Sequence, residues 1–109
     1  MIARVWHGWT TRALADSYEG LLKGEIFPGI LTKRIPGFLH IELFRRELEQ
    51  ETEFMTVMWF ASQDAVTAFV GDDHGAAYVP TSARQVLERF DERAIHYEVR
   101  AATYAKTPR

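Results

Sequence analysis

The run FLHIELFRRELEQETEFMTVMWF, residues 38–60, decides the fold. After the turn marked by Pro36–Gly37 it alternates, with Leu39, Ile41 and Leu43 on one side and Phe38, His40, Glu42 and Phe44 on the other. That period of two is the mark of a half-buried β-strand. The charged centre, ELEQETE, reads as a hairpin connection. FMTVMWF is apolar at almost every position, as a strand covered on both faces should be. The segment predicts an antiparallel hairpin whose second strand is central in a sheet.

Working outward, residues 2–9 carry Val, Trp and Ile with partial alternation and predict another strand. Ile2, Arg4, Trp6 and Gly8 would share one face, and Ala3, Val5, His7 and Trp9 the other. The second set is the more apolar, which assigns it to the helix-facing side. Thr10 and Thr11 can cap a helix whose buried stripe is Leu14, Tyr18, Leu21 and Leu22, and Pro28–Gly29 should kink or end it. A short helical piece over 31–34 follows. Downstream, Ser62 opens a helix through Val70 that Gly71 stops, with Asp64 near its positive end. Ser82-Ala-Arg-Gln85 has capping-box spacing for a further helix carrying Val86, Leu87 and Phe90. RAIHYEVRA alternates again, Ile95, Tyr97 and Val99 against His96, Glu98 and Arg100.

The order β-α-β-β-α-β defines an α+β, ferredoxin-like domain with a four-stranded antiparallel sheet. It should occupy residues 1–101 as a single unit, followed by a polar C-terminal tail over 102–109. Helices cover one sheet face. The open face would combine Trp6, His40, Glu42, Phe44, His96, Glu98 and Arg100, a mixture too apolar for water, so a homodimer through the sheets is expected.

Composition narrows the chemistry. The chain has 109 residues, 47% hydrophobic and 26% charged, and fits one ordinary globular domain. No run approaches the roughly 20 apolar residues of a membrane span. The opening lacks a signal-peptide pattern and there is no cysteine, so a cytoplasmic location is expected. A net charge of −2, with bases scattered among acids, argues against nucleic acid. The absence of cysteine removes thiolate nucleophiles and iron–sulfur ligation.

The stretches IPGFLHIELFR (residues 35–45), MTVMWFASQDAVTAFVGDD (residues 55–73) and HYEV (residues 96–99) resemble the antibiotic biosynthesis monooxygenase domain family. The opening MIARVWHGW resembles a bacterial branch of it. The resemblance implies a dimeric α+β barrel with a pocket in each subunit between sheet and helices. It also implies oxygenation of an aromatic or quinol-like molecule without a cofactor. The haem-degrading branch has an Asn, a Trp and a His where this chain places His7 or a neighbour, Phe69 and Val79, so haem degradation is not implied.

Within that frame His7 is a candidate base, since imidazole can take a phenolic proton near neutral pH; the alternative is a hydrogen-bonded core histidine. Trp9, Tyr18, Trp59, Phe69 and Tyr78 are candidate pocket walls, with core packing as the alternative. His74, in the loop Asp72-Asp73-His74-Gly75, is a candidate substrate contact at the pocket mouth. His40-Ile41-Glu42 and His96-Tyr97-Glu98 have the spacing of metal half-sites, but their strands would be sheet edges about 14 Å apart. No metal and no cofactor is expected. The expectation is a cofactor-independent monooxygenase; the alternative is a non-catalytic small-molecule-binding or stress-response module.

Overall fold

The computed structural model describes residues 1–106. Strand β1 (Ile2–Thr11) is followed by a continuous helical run made of α1 (Ala15–Leu21), a π-helical turn over Leu22–Ile26, and α2 (Phe27–Thr32). Strands β2 (Phe38–Glu47) and β3 (Glu51–Phe60) form the hairpin, and α3 (Gln63–Val70) and the single-turn α4 (Thr81–Arg84) follow. The short strands β4 (Arg89–Phe90) and β5 (Ile95–Glu98) complete the sheet.

All strand pairs are antiparallel, in the order β2-β3-β1-β4, with β5 also on β1. The ferredoxin-like arrangement is therefore present, with β3 central and the fourth strand broken in two. The break has a local cause. Asp91 donates its N–H to the His7 carbonyl at 2.9 Å and then turns its carboxylate onto the His7 N–H, also at 2.9 Å, where a strand carbonyl would otherwise sit.

The helical layer differs from expectation in three places. Pro28 does not break it, because it lies in the first turn of α2 just after the ladder has widened; the Phe27 N–H already bonds back five residues, to Leu22. The threonines do not cap α1 through N-cap geometry, since β1 runs to Thr11 and Leu14 holds the N-cap position. The helix expected after Ser82 is one turn long, without a side-chain cap, and Phe90 belongs to β4. Ser62, by contrast, caps α3 by accepting the Ala65 N–H at 3.2 Å, and Gly71 ends it at φ 84°.

The core lies between the helices and one sheet face. Ala15, Tyr18, Leu22, Ile26 and Ile30 form the helical stripe, and it packs on Phe54, Met58 and Phe60 of β3 with Ile2, Trp6, Ile41 and Leu43 at its edges. Ladder register then fixes the faces. Opposite Thr56, Met58 and Phe60 in β1 stand Trp6, Arg4 and Ile2, which therefore face the helices. The apolar set Ala3, Val5, His7 and Trp9 is on the open face, which corrects the expected assignment. The same inversion holds in β5: His96 pairs with Arg4 on the helix side, while Ile95 and Tyr97 are exposed on the open one. In β2 the assignment of His40, Glu42 and Phe44 to the open face stands. Phe38 escapes it through a bulge at Leu39, which turns its ring onto Phe60 at 5.5 Å.

Candidate functional site

Between sheet and helices lies a cleft. Arg4 and Trp6 of β1, Ile41 of β2, and Thr56 and Met58 of β3 form its floor. Tyr18, Leu22, Ile26, Phe27 and Ile30 roof it, because the π turn and α2 keep the apolar stripe of α1 aligned over the sheet. Phe69 of α3 and the segment Tyr78–Pro80 close one end, with the Phe69 ring 5.9 Å from Phe60 and 5.2 Å from Tyr78. Among the described residues that line the cleft there is no imidazole and no carboxylate.

Arg4 is the one charged group in this lining. It is 3% exposed. Its Nη1 donates to the His74 carbonyl at 2.7 Å and meets His96 Nε2 at 3.1 Å, while Nη2 donates to the Ala76 carbonyl at 2.5 Å. The guanidinium carbon also sits 5.6 Å from the centre of the Phe69 ring. Burial without a carboxylate partner pushes the Arg4 pKa down to about 10, which still leaves it charged at neutral pH. His96 is held below its ordinary value by burial first and then by the charge of Arg4. A neutral imidazole is what an arginine donor requires of it.

Tyr18 is 1% exposed, T-stacked on Phe54 at 4.9 Å, and burial raises its pKa, so the phenol stays protonated. Its hydroxyl makes no hydrogen bond to another described residue. Trp6 is fixed edge-on by its indole N–H, which donates to the Asp91 carbonyl at 2.8 Å.

The structure gathers some of the expected residues and disperses others. Tyr18, Phe69 and Tyr78 line the cleft. His74 stands beside it: its ring bridges Gln63 and Thr67 of α3, each at 2.6 Å, while its carbonyl holds Arg4. His7, Trp9 and Trp59 lie on the opposite sheet face, a correction that follows from the β1 register. There His7 Nδ1 is 2.7 Å from an Asp91 carboxylate oxygen, its Nε2 is 3.9 Å from Glu53, and its ring stacks on Trp9 at 5.9 Å. Trp59 donates to Glu42 at 2.7 Å and stacks on His40. Sequence reasoning missed Arg4 and Trp6 as cleft residues. The available signal was a lone arginine in the middle of an otherwise apolar strand.

A ferredoxin-like α+β domain with one aromatic cleft between its layers, carrying a single buried cation, is the class that fold and site define. The chain belongs to the antibiotic biosynthesis monooxygenase family, whose model matches residues 25–81, more than half of its length. Among solved structures it is similar to a candidate antibiotic biosynthesis monooxygenase from Bacillus cereus (TM-score 0.66, 13% identity, 95% of this chain and 97% of the other). It is also similar to SnoaB, a cofactor-independent oxygenase from Streptomyces nogalater (TM-score 0.60, 15% identity, 93% and 95%). A third is the monooxygenase from the gene ActVA-Orf6 of Streptomyces coelicolor, in complex with nanaomycin D (TM-score 0.60, 18% identity, 96% and 92%). At such identities the likeness is one of fold. No curated protein matches the sequence. Among the described residues, no helix is long and apolar enough to cross a membrane.

Proposed function

We propose that this protein is a cytoplasmic, cofactor-independent monooxygenase acting on an aromatic or quinol-like small molecule held in the cleft. The observation that carries this reading is a protonated, unpartnered phenol, Tyr18, inside an aromatic cleft of a member of this family. A bound phenolic ring loses its hydroxyl proton to water at the mouth. Tyr18 then donates to the ring oxyanion, and a preformed donor in a dry site stabilises such charge strongly. The electron-rich ring carbon passes an electron to molecular oxygen, the radical pair joins as a ring hydroperoxide, and loss of water leaves a quinone carbonyl. One oxygen atom stays in the product and the other leaves as water with two substrate hydrogens, so no external reductant is consumed.

Oxygen uptake with a panel of naphthols and hydroquinones tests the reading: turnover that falls in Tyr18→Phe and Phe69→Ala is expected, and no uptake with any of them overturns it. The lack of a base in the cleft lining favours one second reading, a non-catalytic binding module, which is distinguished by thermal stabilisation without turnover.

The functional unit in this proposal is a homodimer. Val5, Trp9, Phe44, Ile95 and Tyr97 leave the open sheet face apolar, and Phe44, Ile95 and Tyr97 are each exposed by 45% or more. A second copy laid sheet to sheet covers that area. A dimer by light scattering at micromolar concentration is expected, and a monomer contradicts it.

A further inference from the structure

We propose that the ligand of the cleft is an aromatic carboxylate, anchored through its two oxygens to the free edge of Arg4. The proposal rests on the cleft being the substrate site, and it concerns what binds rather than what reacts.

A guanidinium has five N–H donors in a fixed plane. In Arg4 three are taken, by the carbonyls of His74 and Ala76 and by His96 Nε2. The Nε–H and the second Nη2–H have no acceptor among the described residues. Nε and Nη2 lie on one edge of the plane, and two parallel donors on one edge fit a carboxylate better than any single oxygen. The charge is also uncompensated. No described carboxylate lies in the cleft lining, although a buried charge ordinarily needs a counter-ion to offset its desolvation.

The rest of the lining sets the body of the ligand. Trp6, Phe69 and Tyr78 offer flat apolar walls, and Ile26, Ile30 and Met58 fill the remainder without a further acceptor or charge. A flat ring system with a single anionic end satisfies both parts. A neutral quinone satisfies only the apolar one.

Isothermal titration with 1-naphthoate and with 1-naphthamide, which has the same shape without the charge, tests this directly. The wild-type protein should bind the acid at least about tenfold more tightly, the ratio expected for a charge-assisted pair of hydrogen bonds. Arg4→Lys keeps the charge but loses the paired edge and should reduce that ratio, and Arg4→Met should abolish it. Equal affinities in the wild type, no binding of naphthoate at millimolar concentration, or an undiminished ratio in Arg4→Met would each overturn the proposal. The wild-type comparison stands whether or not the Met variant folds. Naphthoate binding without any oxygen uptake in the panel above sinks the oxygenase reading alone, whereas uptake with neutral phenols and no preference for the acid sinks this one alone.

Discussion

Arg4 and His96 face each other across the β1–β5 ladder, with Nη1 of the one 3.1 Å from Nε2 of the other. Because the arginine can only donate, the imidazole must accept through Nε2 and carry its proton on Nδ1. Protonating His96 removes that acceptor and adds a second positive charge beside a buried one. Its native pKa lies below the unfolded value near 6.5, so the native state binds fewer protons there than the unfolded chain. Stability is then full above about pH 7 and declines as the pH falls through the range of an ordinary imidazole. Urea midpoints across this range should drop in the wild type and be flatter in His96→Gln. Glu19, Glu47 and Asp73, whose values are lowered by arginine or threonine hydrogen bonds, act further down the scale.

Thr10 is fully buried, and its hydroxyl finds no partner among the described residues. Thr10→Val keeps the shape and deletes the orphaned group. It should stabilise the fold by about 1 kcal/mol, since a buried hydroxyl without a hydrogen bond costs on that order. Chemical denaturation showing a loss instead would mean that an unseen partner satisfies it.

Gly37 turns the chain into β2 at φ 81°, and a Cβ there would lie 2.7 Å from the Cβ of Ala65 in α3. Neither the left-handed backbone nor the packed helix can yield cheaply. Gly37→Ala should cost about 3 kcal/mol, combining left-handed strain with overpacking. Gly29, where an added Cβ meets nothing within 4 Å, supplies the control: Gly29→Ala should not destabilise.

His7→Ala removes a side chain on the sheet face opposite the cleft, while the Asp91 main chain stays paired to β1, and should not change naphthoate affinity. It does strip the Asp91 carboxylate of its imidazole, a half-exposed charge-assisted bond worth about 1 kcal/mol. A loss of cleft binding in this variant would show that the two sheet faces are coupled through β1.

The hairpin, the ferredoxin-like order and the cap at Ser62 were legible because alternation, turn residues and a capping serine act locally. The facing of β1 was not. Counting apolar residues favours the side of Ala3, Val5, His7 and Trp9, yet the buried side is the one with Arg4, Gly8 and Thr10. Arg4 is admitted by carbonyls of His74 and Ala76, 70 and 72 positions away in sequence. Gly8 is needed because Leu87 packs onto it, its Cδ2 lying 2.9 Å from where a Cβ would be. Neither condition can be read within the strand. Tyr18 was recoverable because it sits on a helical stripe where period and burial agree, whereas Tyr78 lies outside any helix and is 38% exposed.

The π turn at Leu22–Ile26 has a consequence for how the cleft came to have its shape. A turn that closes over five residues holds one more than an α-helical turn, and a single residue rotates everything after it by about 100° around the axis. Phe27 and Ile30 therefore owe their place in the roof to one surplus position upstream. Removing a residue there would swing both side chains away from the sheet and present a different set to the ligand. The helix thus carries a phase adjustment through which a family could retune its cleft by insertion or deletion, without touching a lining residue.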